Sequence, residues 1–561
     1  MKIIFPLYMK FNQFETKMRE RTEHEIAILL LAILASSAVL TILPISPVNA
    51  ASTTKVIKIG VVTDLSTAYS YYGDMEVNGL ALGLAYGLGV TNVTAAVKST
   101  PNLVNVTGGG YTFELYVADG ASDPTTTTEK AVQLITQDGV QILQGAPDST
   151  ATTALEGVAA QYHIVFFAGP GADYSITANT FNVYTFRMAS NTYQDALTGG
   201  AYAVEHMGRS VAFIAPDYSW GYGEVAAWTD VISANGGRVL TTQYAPVGTT
   251  DFTPYINNIL ASNATVLIPA WAGAGAIQLY QQLYSLGVYN KMNVTSGVPD
   301  LATFDSYLAK YMPNYVGMMK YAFNLPNNAV NTWMIQNYIT LFKAGKLPEQ
   351  NAITFPLPDL FVPDSFAVGQ AIVAALNTTG GNTTPANMIA ALEGMSLNSP
   401  KGPMYIRPQD HQALQDMYIV KTVYDNTSMQ SYYSSASQFP TGNVWAGILK
   451  TGYIGVQLIA TLNGTQTAPP IYPGTAGQPR PPVQTTTTST TPSVSTATST
   501  ATSTSTSTAT STATSTLTSV LTTVSTVVQS AGTPDYVYPL VVVVIIAVIA
   551  AIFVATRRKP K

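Results

Sequence analysis

The feature that most constrains the fold of this chain is a regular alternation of short apolar runs with longer segments of helical character. The first series predicts strands over 56–62, 113–117, 140–143 and 164–167, and helices over 79–88, 127–137 and 150–161. The second series, after a break near residue 187, predicts strands over 210–214, 239–244 and 265–269, and helices over 222–235, 252–261 and 274–286. Strands that alternate with helices form parallel sheets covered by helices on both faces. The pattern therefore predicts an α/β protein of two doubly wound lobes.

The predicted lobes also indicate where a ligand would bind. Open α/β sheets bind ligands beyond the carboxyl ends of their strands. If the two lobes face one another, these strand ends surround a shared cleft. We therefore expect the residues that follow the predicted strands to line that cleft.

Apolar segments at both ends of the chain predict export and membrane attachment. Basic residues precede an apolar run over 26–42, and the small residue Ala50 follows it, which predicts a leader with a signal peptide over 1–50. A retained signal-anchor helix is the alternative. The apolar run over 536–556 is long enough to span a bilayer, and the basic tail 557–561 would stay in the cytoplasm. These segments predict a single-pass cell-membrane protein with an extracellular ligand-binding domain.

A low-complexity tract precedes the predicted membrane span. Residues 466–535 are first rich in Pro and then consist almost entirely of Thr and Ser. Such a composition cannot bury a core, so it predicts a disordered or O-glycosylated stalk. Eight Asn-x-Ser/Thr sequons lie in the predicted external region and give weak support for a glycoprotein.

Composition excludes several classes of function. Charged residues make up only 10% of the chain and the net charge is −5, which argues against nucleic acid as a partner because phosphate binding needs a basic face. The absence of cysteine excludes disulfides, thiolate metal sites and a cysteine nucleophile. The four histidines are not spaced as a metal pair, and the sequence has no nucleophile elbow or phosphate loop. We therefore expect no enzyme activity, no metal and no cofactor.

Several short motifs follow one another in a fixed order along the chain. They are 58–66 with Tyr72-Gly73-Asp74, 117–119 with 122–124, 145–149, 168–173, 185–187, 217–221, 248–253, and 402–404 with His411-Gln412. Taken together, they resemble the periplasmic binding proteins of the branched-chain amino acid type, which bind Leu, Ile or Val for ABC transporters. The missing lipid cysteine, the stalk and the C-terminal anchor are similar to archaeal surface members of that family.

The resemblance implies a type I periplasmic binding protein fold. In that fold, two Rossmann-like lobes are joined by a multi-strand hinge, and here the ligand-binding domain would cover residues 55–465. Lobe 1 would comprise about 55–184 and 322–400, and lobe 2 about 185–321 and 401–465.

The resemblance also implies which residues bind the ligand. Ser149, with Thr150 beside it, matches the serine that contacts a ligand carboxylate, and the turn over 169–173 would offer backbone N–H groups. Asp173 stands where the family usually has Thr or Ser, and a carboxylate there would repel an anionic ligand. Asp300 matches the acidic residue that binds the ligand ammonium. The full predicted set is Tyr72, Ser149, Thr150, Gly171, Ala172, Asp173, Trp220, Trp271, Asp300 and Phe366.

Several of these residues have a purely structural alternative. Ser149 could cap the helix that begins near residue 150, as serine often does. Asp300 could cap a helix that begins at residue 301. Tyr72, Trp220 and Trp271 could be core residues that never contact a ligand.

The function that the resemblance implies is that of an extracellular solute-binding protein of an ABC importer. It would capture an amino acid, an amide or a urea-like solute between its lobes and deliver it to the permease subunits. Closure would exclude water, so each charged end of the ligand would need a direct partner. The alternative is a ligand-sensing receptor or an adhesin on the same scaffold, although the predicted cytoplasmic tail is too short for a signalling domain.

Overall fold

The computed structural model describes residues 54–295, 300–303, 315–425 and 428–483. The predicted signal peptide, the Ser/Thr-rich part of the predicted stalk and the predicted membrane span at 536–556 lie outside these residues. Among the described residues, no helix is both long enough and apolar enough to cross a membrane.

The first sheet has seven strands in the order β2-β3-β4-β1-β5-β6-β7. Its strands are β1 (Lys55–Thr63), β2 (Val97–Thr100), β3 (Leu103–Gly108), β4 (Tyr111–Asp119), β5 (Ile142–Gly145), β6 (Val165–Ala168) and β7 (Thr185–Arg187). The neighbouring strands β4, β1, β5, β6 and β7 pair in parallel, as the alternation of strands and helices predicts. The hairpin of β2 and β3 is antiparallel and is not predicted, because β2 exposes three of its four residues and so carries no apolar run.

The second sheet has four strands in the order β11-β10-β8-β9, and each of its pairings is parallel. Its strands are β8 (Ser210–Pro216), β9 (Arg238–Ala245), β10 (Val266–Pro269) and β11 (Asn293–Val294). The two sheets confirm the prediction of an α/β fold built on parallel strands.

The longer helices connect or flank these strands. They are α1 (Ser70–Gly87), α2 (Pro124–Gln133), α3 (Ser149–Tyr162), α4 (Thr192–His206), α5 (Ser219–Ala234), α6 (Thr253–Ala261), α7 (Ala276–Ser285), α8 (Ala329–Lys343), α9 (Val362–Thr378) and α10 (Pro385–Leu392). Short helical turns occur at Val93–Ala96, Leu301–Thr303, Ser428–Tyr432 and Ile448–Thr451. The sequence predicts a start near residue 79 for α1, but the helix begins at Ser70. The prediction missed the first half because its residues are buried around most of the helix circumference and show no amphipathic pattern.

Two small antiparallel sheets complete the described chain. Their strands are β12 (Val316–Met319), β16 (Met417–Asp425) and β17 (Tyr453–Leu462) in one sheet, and β13 (Ser396–Ser399), β14 (Gly402–Ile406) and β15 (Ala413–Leu414) in the other. β12 and β16 contact α4, whereas β13 contacts α9. The doubly wound pattern alone does not predict these sheets, since their strands pair antiparallel and β12 pairs with β16 about a hundred residues later in the sequence.

The contact between α1 and α9 depends on glycine. A methyl group at Gly83 would overlap the backbone oxygen of Phe366, and one at Gly79 would overlap the backbone oxygen of Val362. In the other direction, a methyl group at Gly369 would overlap the backbone nitrogen of Leu84. The two helices therefore approach until their backbones touch, which fixes α9 and the loop before it relative to α1.

Residues 466–483, which composition assigns to the stalk, pack against the body of the protein. Gln478 donates a hydrogen bond to the carbonyl of Phe181 (2.9 Å), and Arg407 donates one to the carbonyl of Pro469 (2.9 Å). Arg480 pairs with Glu393 at 2.5 Å. A Pro-rich segment cannot donate the hydrogen bonds of a sheet, but its carbonyls can accept hydrogen bonds from side chains. The packed part of the chain therefore includes this segment.

We expect Gly83→Ala to lower the free energy of unfolding by about 1–3 kcal/mol, because the added methyl group must push two helix backbones apart. Gly157→Ala is the matched control, since Gly157 is also helical but has no atom near its Cβ position. There, alanine should be neutral or stabilise the protein by up to about 1 kcal/mol. Urea unfolding followed by circular dichroism compares the two variants, and equal midpoints would contradict the proposed packing constraint.

Candidate ligand-binding site

A narrow cavity lies where the strands of both parallel sheets end. Its lining residues are Tyr69, Tyr72, Pro147, Pro170, Ala172, Tyr218, Trp220, Ala272, Lys320 and Phe361. Apart from Lys320 and Phe361, each of them follows the carboxyl end of a strand of the two parallel sheets: β1, β5 and β6 in the first sheet, or β8 and β10 in the second. The cavity volume is about 20 Å³, which is room for roughly one water molecule. The two sheets are therefore closed upon each other at this point.

Two equivalent turns bring an aromatic residue to the cavity from each sheet. Tyr72 and Trp220 lie in the first turn of the helix that follows β1 and β8, and each is followed by glycine. A methyl group at Gly73 would overlap the carbonyl of Asp64, and one at Gly221 would overlap the carbonyl of Pro216. Only glycine lets the helix start so close to the end of its strand, and this approach holds the preceding aromatic residue at the cavity.

Aromatic rings from both sheets contact one another across the cavity. Tyr69 lies 6.1 Å from Tyr218 between ring centroids, and Tyr218 lies 6.2 Å from Trp220. The ring of Phe361 meets that of Tyr72 edge to face at 5.1 Å. Rings at these distances attract each other through their edges and faces and keep water out. The cavity therefore presents a dry wall suited to an apolar or aromatic part of a ligand.

Hydrogen bonds also join the two sides of the cavity. The hydroxyl of Tyr72 donates to Asp300 Oδ2 at 3.2 Å and accepts the N–H of Gly273 at 3.2 Å. The N–H of Ala274 donates to the carbonyl of Ala68 at 3.3 Å. Burial, together with the negative charge of Asp300, raises the pKa of the Tyr72 hydroxyl well above its usual value, so this group stays protonated and remains a donor.

Asp300 lies beside a second buried carboxyl group, Asp359. Asp359 accepts the N–H groups of Leu301 (3.2 Å), Ala302 (3.0 Å) and Leu360 (2.8 Å). Burial and the neighbouring Asp300 raise the pKa of Asp359 to about 7. Asp359 therefore accepts the N–H groups of the first two residues of the short helical turn at Leu301–Thr303.

The predicted carboxylate-binding groups bond to one another. Ser149 is the first residue of α3, and Asp148 caps that helix by accepting the N–H groups of Thr150 (2.7 Å) and Ala151 (2.9 Å). Ser149 Oγ accepts the N–H of Asp173 at 3.1 Å. Capping is therefore not the role of Ser149. Ser149 lies beside the segment that lines the cavity, and its hydroxyl oxygen is hydrogen-bonded to the turn that follows β6.

The turn after β6 is likewise satisfied internally. The N–H of Gly171 donates to the carbonyl of Ala146 at 2.8 Å. The Asp173 carboxylate accepts the N–H of Ser175 at 3.0 Å, and it closely approaches Gly223 in α5. Burial raises its pKa. The side chain that would repel an anionic ligand therefore points to a helix turn and is absent from the cavity lining.

The remaining predicted residues lie at different depths. Trp271 packs edge to face on Phe252 at 4.9 Å and donates to the carbonyl of Ala274 at 3.0 Å, so it belongs to the core of the second sheet. Phe366 packs on Tyr86 within the α1–α9 contact. Thr150 lies within 3.2 Å of the hydroxyl of Ser219, at the exposed rim.

Of the predicted set, the structure brings Tyr72, Ala172 and Trp220 to the cavity lining and places Asp300 one hydrogen bond away. Their contact with a ligand stays a prediction. Sequence reasoning missed Tyr69 and Tyr218, although each precedes a predicted residue by two or three positions at the end of a strand. It also missed Lys320 and Phe361, which follow no strand of the two parallel sheets and so carry no local signal.

The fold brings the strand ends of two parallel α/β sheets together around a small closed cavity. The family model described as Periplasmic binding protein matches residues 56–427, and the chain belongs to that family of solute-binding proteins.

Known relatives agree with this assignment. The Leu/Ile/Val-binding protein homolog 6 of Brucella melitensis is 24% identical over 302 residues, which cover 53% of this chain and 74% of the relative. A branched-chain amino acid ABC transporter protein of Rhodopseudomonas palustris has a similar fold, with a TM-score of 0.56, 23% identity and coverage of 74% of this chain and 99% of that one. A solute-binding protein of the same species, in complex with 3,4-dihydroxybenzoic acid, gives a TM-score of 0.58 at 20% identity and covers 73% and 98%.

We expect Tyr72→Phe to loosen the closed cavity, because it removes the hydrogen bonds to Asp300 and Gly273, each worth about 1 kcal/mol. Amide hydrogen exchange at residues 273 and 274, measured by mass spectrometry, should become faster. Tyr116→Phe is the matched control, since Tyr116 also donates to a carboxylate, Glu114 at 3.0 Å, but lies away from the cavity. Unchanged exchange at residue 273 in Tyr72→Phe would mean that these bonds do not hold the closed form.

Proposed function

We propose that this protein captures a small solute between two lobes outside the cell membrane and delivers it to the permease of an ABC-type importer. One observation carries the proposal: the aromatic cavity at the strand ends draws its walls from both parallel sheets. A ligand held there contacts both lobes at once, so its binding energy favours the closed form. A permease that recognises the closed form would then distinguish loaded from empty protein.

The site supports a ligand with a compact apolar part. The branched-chain amino acid relatives favour an amino acid or a related amide, with Asp300 as the partner of its ammonium group. A second candidate is an aromatic acid, since solved relatives are in complex with 4-hydroxybenzoate and benzoate. The specific observation in favour of this candidate is the set of five aromatic rings around the cavity, which suits a flat ring as well as a branched chain.

The closed cavity must open to admit such a ligand. A drug-sized ligand needs a pocket of about 300–1,000 Å³, far more than the present cavity volume. We infer a hinge motion that separates lobe 1 (about 55–184 and 322–400) from lobe 2 (about 185–321 and 401–465). The contacts to be broken include the hydrogen bonds of Tyr72 with Asp300 and Gly273, those of Asp359 with Leu301 and Ala302, and the ring contact of Tyr69 with Tyr218.

The position of the protein in the cell is part of the same proposal. The signal peptide over 1–50, the membrane span over 536–556 and the stalk between would hold the binding domain at the outer surface while leaving it free to move. The family is one of transport proteins, and we propose that the chain has no catalytic role.

A ligand screen tests this function. A solute at 100 times its dissociation constant should stabilise the folded protein by about 2.7 kcal/mol, which is measurable as a rise in melting temperature. The panel contains amino acids, amides, aromatic acids, sugars and peptides. The same ligand should change the tryptophan fluorescence of the wild type but not that of Trp220→Phe.

Trp333→Phe is the control for the fluorescence experiment, because Trp333 packs on Tyr86 and Phe366 and does not line the cavity. Its fluorescence response should match that of the wild type. If no small solute raises the melting temperature, the transport proposal fails and the adhesin alternative gains support.

A further inference from the structure

Lys320 is the one charged side chain among the residues that line the cavity. It directly follows β12, its relative exposure is 1%, and its ammonium lies 5.8 Å from the centre of the Phe361 ring. A buried ammonium is costly unless a partner compensates its charge. Its presence in a wall of aromatic rings therefore calls for a functional or structural reason.

Asp195 of α4 is the structural partner, but it does not use the full bonding capacity of the ammonium. Lys320 Nζ lies 2.8 Å from Asp195 Oδ2, and both side chains are buried. This ion pair uses one donor of the ammonium, and no other hydrogen bond of Lys320 Nζ is found among the residues that the structure describes. An ammonium group has three N–H donors. Asp195 is itself held by Ser190, whose hydroxyl donates to Oδ1 at 3.1 Å, so it fixes the position of the lysine.

Two of the backbone N–H groups that the family resemblance assigns to a ligand carboxylate are already engaged. The N–H groups of Gly171 and Asp173 donate to Ala146 and Ser149, and the other lining residues are aromatic, proline or alanine. A carboxylate that enters this cavity would therefore find the one positive charge of the lining at Lys320. A neutral amide would gain no such charge–charge attraction, and the lysine would keep only Asp195 as its ionic partner.

We propose that Lys320 binds the anionic group of the ligand and makes the protein selective for carboxylates over their neutral analogues. The proposal rests on the proposed function, since it names the ligand class of the same site. The ammonium would lie between the carboxylate of Asp195 and that of the ligand, and charge-assisted bonds of this kind are the strong ones. A ligand carrying only a positive charge would be repelled.

Matched ligand pairs test the proposal on the full-length protein: benzoate with benzamide, and leucine with leucinamide. In any pair of which a member binds, titration calorimetry should show that the carboxylate binds at least about tenfold more tightly than the amide. Lys320→Met should abolish this preference, because it should weaken the binding of the carboxylate ligand and leave that of the amide unchanged. Lys343→Met is the matched control, since Lys343 also lies over an aromatic ring, Tyr433 at 4.6 Å, but does not line the cavity.

Asp195→Asn separates a binding role from a purely structural one. It keeps Lys320 and removes the competing carboxylate, so carboxylate ligands should bind as tightly as in the wild type or more tightly. If the Lys320–Asp195 ion pair were purely structural, this variant would instead bind all ligands more weakly and to the same degree. If Lys320→Met fails to fold, the double variant with Asp195→Asn removes both charges together, and it should bind the two members of a pair equally well.

The outcomes also separate this proposal from the proposed function. If the wild type binds solutes but treats carboxylates and amides alike, or if Lys320→Met keeps the preference, the role of Lys320 is overturned while solute binding stands. If the wild type binds no solute in the wider screen, the proposed function fails, and the carboxylate proposal fails with it.

Discussion

The backbone contact between α1 and α9 is the constraint on which the rest of the site depends. Gly83 lets the two helices touch, and the same helices carry Tyr72 near the start of one and Phe361 just before the start of the other. Their rings meet edge to face at the cavity. Any residue that separated the helices would move these two walls apart. The geometry of this part of the cavity is therefore set by packing between two helices of the first sheet, away from the cavity itself.

Desolvation governs the polar groups around the cavity. Asp300 and Asp359 lie side by side, and burial together with their mutual repulsion raises the pKa of Asp359 to about 7. Lys320 faces the cavity with Asp195 behind it, and burial raises the pKa of Asp195 while the lysine opposes that shift. In a site that excludes water, the effective dielectric is low, so neighbouring charges interact strongly and are little screened. A few fixed groups can therefore discriminate between ligands that an aromatic wall alone would accept equally.

The family resemblance predicts a departure from the usual Thr or Ser at Asp173, and the structure places this carboxylate away from the cavity lining. The carboxylate accepts the N–H of Ser175 and approaches α5, so it contributes to packing between the two sheets and adds no negative charge to the cavity lining. The Pro-rich segment up to residue 483 is a second departure from expectation. Arg407, Gln478 and Arg480 hold it against the body, so the described domain continues beyond its last strand.

The sequence by itself determined the parallel sheets and the general place of the site. Apolar runs and helix patterns are local. The rule that ligands lie beyond strand ends gave the region, and the family resemblance pointed to Tyr72 and Trp220 within it. Tertiary structure alone decided the rest. Phe361 and Lys320 reach the cavity through long-range packing, which leaves no periodic signal near either residue. Whether a predicted donor such as the N–H of Asp173 is available to a ligand depends on a partner far along the chain, because hydrogen bonds form between neighbours in space.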